Sequence, residues 1–221
     1  MGKQAIIFGA TGAVGRELLS LCLNGDRYQK VTVIARRAAQ VSHDKLDWVE
    51  ADFDALDSLA PIPGLADGDA YCCLGTTIKA AGSREMFRRV DFDYVLNTAK
   101  FSKKCDVSNF SMISAIGANA KSSNLYNQTK GQVEQAVIAE QLDALRILRP
   151  SLLKGEREEF RLKEEIGNAA SLLLRPVFCL GMRKYQPIDI KKVALGLYQS
   201  VNEEIGADAV RIYESDELQA Y

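Results

Sequence analysis

Ala5-Ile-Ile-Phe8 runs directly into Gly9-Ala-Thr-Gly12-Ala-Val-Gly15 and then into Arg16-Glu-Leu-Leu-Ser-Leu-Cys22. A short apolar run without alternation reads as a strand covered on both faces. Val14, Leu18, Leu21 and Cys22 recur at helical spacing, so a helix opens within the glycines. In that context Gly9 allows a sharp turn, Gly12 lets backbone amides approach a pyrophosphate, and Gly15 lets the helix lie against the strand. The free N–H groups of the helix start, at Thr11, Ala13 and Val14, point toward the same anion. The spacing is Gly-x-x-Gly-x-x-Gly rather than the commoner Gly-x-Gly-x-x-Gly, and three glycines alone also suit an ordinary turn. The strand before them and the helix after them decide for a dinucleotide loop.

Outward from this unit the pattern repeats. Short apolar runs at 31–35, 46–49, 70–74, 110–114 and 145–148 are separated by amphipathic stretches. Met86, Val90, Tyr94 and Val95 mark a long helix within 83–104, and Tyr126, Lys130, Val133 and Val137 mark another over 125–140. Strand and helix in alternation require crossovers between parallel strands, so the fold expected is α/β, a doubly wound parallel sheet (Rossmann fold). After Pro150 the pattern loosens, with a helix expected over 189–201 and a last strand over 209–213. No linker composition interrupts the chain. The expectation is one NAD(P)-binding domain over 1–221, with 151–221 forming a small C-terminal cap on the substrate side.

With 221 residues, 47% of them hydrophobic, the chain fills one such domain and is short for two. Its 28 Lys and Arg against 29 Asp and Glu leave no global field to attract nucleic acid or an anionic membrane, so a small-molecule partner is expected. Five cysteines without paired metal spacing read as reduced thiols, and no metal site is expected. No leader and no apolar stretch near the ~20 residues needed to span a bilayer is visible, which leads to the expectation of a cytoplasmic protein. His43 stands alone in a polar stretch, and with no Gly-x-Ser-x-Gly elbow it offers no Ser-His-acid triad.

The second expected strand ends in Ile34-Ala35-Arg36-Arg37, where an NAD site would carry a carboxylate for the ribose hydroxyls. Two guanidinium groups suit a 2′-phosphate instead, so NADP(H) is the expected cofactor, with NAD(H) second. Asp52-Phe53, after the third strand, stands where an adenine would lie, although an Asp there is as often a helix cap.

Tyr126 and Lys130 lie four apart on the expected helix and share a face, with Ser114 twelve residues upstream of Tyr126. A cation beside a phenol favours its ionised form. Tyr-x-x-x-Lys alone is a weak signal, and its ordinary reading is a half-buried Tyr beside a solvated Lys. Its place in the order of elements gives it weight.

These features, together with Cys72-Cys-Leu-Gly-Thr-Thr77, Val90-Asp-Phe-Asp-Tyr-Val-Leu96, Lys121-Ser-Ser-Asn-Leu-Tyr126 and Arg149-Pro150, resemble the short-chain dehydrogenase/reductase superfamily, in particular its small atypical members. The resemblance covers most of the chain up to Pro150. It implies an oxidoreductase in which Tyr126 is the general acid for a carbonyl reduced by hydride, Lys130 lowers the Tyr pKa and holds the nicotinamide ribose, and Ser114 bonds the substrate oxygen. It also implies Asn97 as a fourth member of the set, and Leu74, Gly75, Thr76 and Pro150 as residues lining the cofactor. The substrate would be a small carbonyl or alcohol and the protein a monomer or homodimer. Two other functions stay open: a non-catalytic NADP(H)-binding redox sensor or scaffold, and a sugar-nucleotide epimerase or dehydratase.

Overall fold

The computed structural model describes residues 2–38, 41–155 and 183–221. Among them, seven parallel strands form one sheet: β1 (Lys3–Phe8), β2 (Tyr28–Ala35), β3 (Leu46–Glu50), β4 (Asp69–Cys72), β5 (Asn109–Ile113), β6 (Leu145–Arg149) and β9 (Val210–Glu214). Their spatial order is β3-β2-β1-β4-β5-β6-β9. Chain direction across the sheet reverses between β1 and β4, so the loops that leave these two strands diverge and open a crevice at their carboxyl ends. β7 (Leu153–Lys154) and β8 (Ile188–Asp189) pair separately.

Alternate residues of β1 feed two cores, as the pleat requires. Ala5 and Ile7 pack with α1 (Ala13–Asn24) and α6 (Ile190–Ser200), through Val14, Leu18, Val193 and Leu197. Ile6 and Phe8 face the other side, among Val95, Ala99 and Phe101 of α4 (Tyr94–Lys104) and Val133 and Val137 of α5 (Leu125–Ala139). All four β1 side chains are fully buried, each worth about 1.5–3 kcal/mol for the larger ones.

The helix expected over 83–104 is not regular. After the short α2 (Ile78–Ala81), α3 (Arg84–Arg88) leads into a π turn (Arg89–Asp93) before α4 resumes the ordinary winding. Ser83 caps α3 by accepting the Met86 amide at 3.0 Å. Within the expected cap, residues 156–182 lie outside the described residues. The described remainder joins the main layers: α6 packs on α1, β9 extends the sheet beside β6, and α7 (Ser215–Leu218) closes the chain against them.

At the amino end of the sheet, opposite the crevice, lies a polar cluster that no motif announces. The Asp69 carboxylate, fully buried, accepts from the Tyr28 hydroxyl at 2.6 Å and the Asn109 amide at 2.7 Å, and pairs with Lys3 at 2.8 Å. Arg146 of β6 donates to the Asn109 carbonyl oxygen at 2.7 Å. The cluster links β1, β2, β4, β5 and β6, and a buried charge is tolerable only with its partners in place.

At the opposite end, the loop from β5 to α5 folds back on the helix. A Cβ at Gly131 would stand 2.2 Å from the Ala120 nitrogen, so α5 and the loop touch backbone to backbone. Gly131→Ala is therefore expected to lower the thermal midpoint by several degrees, from about 1–3 kcal/mol of overpacking. Gly206→Ala, where a Cβ meets nothing within 4 Å, is the control and should leave the midpoint nearly unchanged. Matching midpoints for the two variants in scanning calorimetry would contradict the close contact.

Candidate functional site

The crevice between β1 and β4 is shaped by bare backbone. Gly9 has φ +83°, and a Cβ there would lie 2.8 Å from the Cys73 carbonyl. A Cβ on Gly15 would lie 2.1 Å from the Gly9 oxygen, so the helix could not approach the turn with any side chain at that position. The Gly12 amide closes the turn onto the Gly9 oxygen at 3.0 Å. Gly12 is the N-cap of α1 and has no side chain to occupy the helix's first amides. Thr11 and Gly12 are exposed, Ala13 is half-buried, and Val14 turns into the core, so the first amides of α1, beyond the one that Gly12 spends on the turn, carry no side-chain cap.

Beside this turn opens a cavity of about 420 Å³ lined by Ala10, Thr11, Arg16, Leu19, Ala35, Arg36, Arg37, Ala38, Val41 and Trp48. Three guanidinium groups share its wall. The Trp48 indole donates to the Arg37 carbonyl at 2.8 Å and fixes that stretch, while Arg16 Nε donates to the Gly12 carbonyl at 3.3 Å. Arg16 was not among the sequence candidates. Its signal was a basic side chain in the first turn of the glycine helix, one turn beyond the amide cradle. A second cavity, of about 320 Å³ beside Gln186, Asp216, Gln219 and Ala220, carries none of these groups.

Asp52 and Phe53 divide differently from expectation. Asp52 is exposed, and its carboxylate accepts the Asp54 amide at 3.0 Å in a local turn. The Phe53 ring is in the core, edge-on to Phe8 with centroids 6.3 Å apart, so its side chain is not an adenine contact. Asn97 also falls elsewhere. Its amide donates to the Phe53 carbonyl at 2.9 Å and holds the loop after β3, so it is corrected from a member of the catalytic set to a brace for that loop.

The residue that meets Lys130 from this helical stretch is Asp91, in the π turn. Its Oδ1 lies 2.8 Å from Lys130 Nζ, with the two side chains 0% and 4% exposed. Its Oδ2 accepts the Thr76 amide at 2.8 Å. A π turn takes one more residue than an α turn, which swings the following register and is a frequent feature of functional sites. Asp91 carried a sequence signal, since it falls with Phe87, Tyr94, Val95 and Thr98 on the buried face, where a carboxylate needs a partner. Burial acts to strip the proton from Lys130, but Asp91 and Tyr126 oppose it and hold the pKa above the ordinary lysine value. The ammonium is therefore not a lone charge beside the phenol, as the sequence reading assumed, but half of a buried ion pair.

Tyr126 lies one turn before Lys130 on α5, half-buried, its ring stacked on the buried Phe87 with centroids 5.7 Å apart and planes 29° from parallel. This contact fixes the direction of the phenol. Asn124 caps the helix by accepting the Asn127 amide at 3.1 Å. Further along α5, Glu134 grips Arg149 at 3.0 and 2.6 Å, and Arg149 reaches Glu214 at 3.0 Å, which anchors the helix to β6 and β9.

Ser114 follows β5 directly, and the register pairs Cys72 with Met112, so Ser114 leaves the sheet beside the loop that follows β4. Its amide donates to Leu148 at 2.7 Å, but its hydroxyl, buried, finds no partner among the described residues. Leu74 and Thr76 are half-buried and Gly75 is exposed, in the loop that Asp91 holds through Thr76. Pro150 is buried, and its carbonyl accepts the Ile116 amide at 3.0 Å, joining the loops that follow β5 and β6.

Residues 9–167 match the family model described as NAD(P)H-binding. Protein HTATIP2 of Rattus norvegicus is 39% identical over 163 residues, covering 72% of this chain and 66% of the relative. Protein FMP52-1, mitochondrial, of Scheffersomyces stipitis is 30% identical over 231 residues, covering 97% of this chain and 96% of the relative. The crystal structure of the human epimerase family protein SDR39U1 with NADPH is similar at a TM-score of 0.59 and 17% identity, over 95% of this chain and 72% of that one, which is a likeness of fold. Further fungal relatives carry the same mitochondrial name, and this overturns the expectation of a cytoplasmic protein. Balanced charge and reduced thiols suit any reducing aqueous compartment, so composition could not supply the address. The glycine cradle, the order of the sheet and these matches agree: the chain belongs to the NAD(P)H-binding family, as an atypical short-chain dehydrogenase/reductase of the HTATIP2-like branch.

Proposed function

We propose that the protein is an NADP(H)-dependent oxidoreductase that reduces a small carbonyl compound, with Tyr126 as general acid. The observation that carries this reading is the buried Ser114 hydroxyl without a partner. An orphaned buried hydroxyl is unfavourable, and a substrate oxygen would satisfy it.

The residues present fit the cofactor. The amides of Thr11, Ala13 and Val14 suit a pyrophosphate, Arg16, Arg36 and Arg37 suit a 2′-phosphate, and Lys130 suits the hydroxyls of the nicotinamide ribose. The loop from Leu74 to Thr76 and the turn at Pro150 would flank its nicotinamide half. When bound, NADPH supplies hydride to the carbonyl carbon. The carbonyl π pair then moves onto oxygen, where the Ser114 hydroxyl donates a hydrogen bond and Tyr126 delivers its phenolic proton, leaving an alcohol. Lys130 favours the phenolate left behind, and solvent restores the proton. The chemistry needs all three groups, because charge that develops on oxygen must be stabilised and then neutralised.

The mitochondrial names of the fungal relatives support a mitochondrial place of action. A redox sensor would need the cradle but not a proton donor, so the retained Ser114, Tyr126 and Lys130 favour turnover.

Tyr126→Phe is expected to lower the rate of NADPH-dependent reduction by about 10²–10⁴-fold in assays of aldehydes, ketones and quinones. Its NADPH affinity should stay within about twofold, since the lost hydroxyl acts on the substrate. Undiminished turnover in that variant would remove the mechanism. Arg36→Ala with Arg37→Ala should weaken NADPH by about tenfold or more while leaving NADH nearly unchanged, as loss of charge-assisted phosphate bonds requires. Titrations in which wild type binds NADH as tightly as NADPH would refute the preference.

A further inference from the structure

We propose that Asp91 is a positioning residue for the nicotinamide end of the site, holding Lys130 with one carboxylate oxygen and the loop after β4 with the other. The inference rests on the reading that Lys130 meets the cofactor's ribose. Both contacts are 2.8 Å and both side chains of the pair are shielded from water. They join three elements that the chain keeps apart: the π turn, the loop containing Thr76, and α5. An ammonium has three N–H donors. Held beside Asp91 as an ion pair, the ammonium keeps donors for the two hydroxyls of a ribose, while the other carboxylate oxygen holds the loop opposite.

The pairing also keeps the ammonium charged. Lys130 faces Asp91 from the π turn, Tyr126 on its own helix, and the buried Cys72 thiol at the end of β4. The next carboxylate along α5, Glu134, is occupied by Arg149. Asp91 is thus the carboxylate opposing desolvation at Lys130. Without it, burial favours the neutral amine, and the proton leaves at lower pH. A neutral amine would hold the ribose less firmly than the ammonium does, because its bonds lose their charge assistance. A residue that merely stabilised the fold would lower the melting temperature without altering how binding depends on pH.

The test is NADPH affinity by fluorescence titration from about pH 7 to about pH 9.5, a range in which an ordinary lysine stays charged and an unpartnered buried one does not. All proteins carry Tyr126→Phe, so that no phenol titrates. With Asp91 intact, affinity should stay within about twofold across the range; with Asp91→Asn it should fall about tenfold toward the alkaline end. Asp91→Glu, which keeps the charge on a longer arm, should restore the flat profile even where absolute affinity is lower. Parallel profiles for Asp91→Asn and the intact protein would overturn the proposal. If Asp91→Asn does not fold, the intact protein decides alone: a steady affinity up to about pH 9 supports the pairing, and a loss of more than about fivefold below that point overturns it. Absence of NADPH binding by wild type at every pH is a different result, which sinks the cofactor reading itself and this inference with it.

Discussion

No side chain fits between the turn after β1, the helix that follows it and the end of β4. The Gly9 oxygen stands where a Cβ of residue 15 would be, and the Cys73 carbonyl stands close to where a Cβ of residue 9 would be. This exclusion brings the start of α1 to the divergence of β1 and β4, where no side chain caps its first amides. The amide cradle and the positions of the guanidinium groups follow from it. So does the placement of the loop after β4, because that strand is the turn's other neighbour.

Two buried carboxylates mark the ends of the same sheet, and their surroundings differ. Asp69, at the amino end, is enclosed by Tyr28, Asn109 and Lys3, all of which belong to or flank the strands it joins. Burial and its neighbours push the Tyr28 and Tyr71 phenols far above their ordinary range, so both remain neutral donors. That cluster is complete and holds strands in place. Asp91, at the carboxyl end, instead joins a lysine one turn from a phenol to a loop at the crevice. Breaking either buried pair leaves an uncompensated charge, but at Asp91 the consequence falls on the site as well as on the fold.

Legibility varied with the range of the interaction. Six strands of the sheet were visible as apolar runs, the seventh was expected as a last strand at 209–213, and the helix of Tyr126 and Lys130 ends within a residue of its expected limits, because pleat and helical spacing are local properties of the chain. The helix at 83–104 was visible as an element but not as a broken one. A π turn leaves the apolar spacing nearly intact while altering which side chain faces the neighbouring helix. Asn97, the fourth member that the resemblance implied, and Asp91 are polar residues on one amphipathic stretch, and only the winding between them decides which meets Lys130. Phe53 was misjudged for a related reason. Following a strand end, it was placed by sequence beside the crevice, whereas packing against Phe8 and Tyr94 turns its ring inward.

The sequence by itself determined the alternation of strand and helix, the glycine turn, the arginine pair at the end of the second strand, and the one-turn spacing of Tyr126 and Lys130. Each depends on residues within a few positions of one another, where backbone sterics and side-chain periodicity act directly. Tertiary structure alone decided the partner of Lys130, the addition of Arg16 to the arginine cavity, the unanswered hydroxyl of Ser114 and the placement of α6 and β9 in the main layers. Those facts concern side chains tens of residues apart, and only close packing converts such separations into a contact of a few ångströms or into its absence.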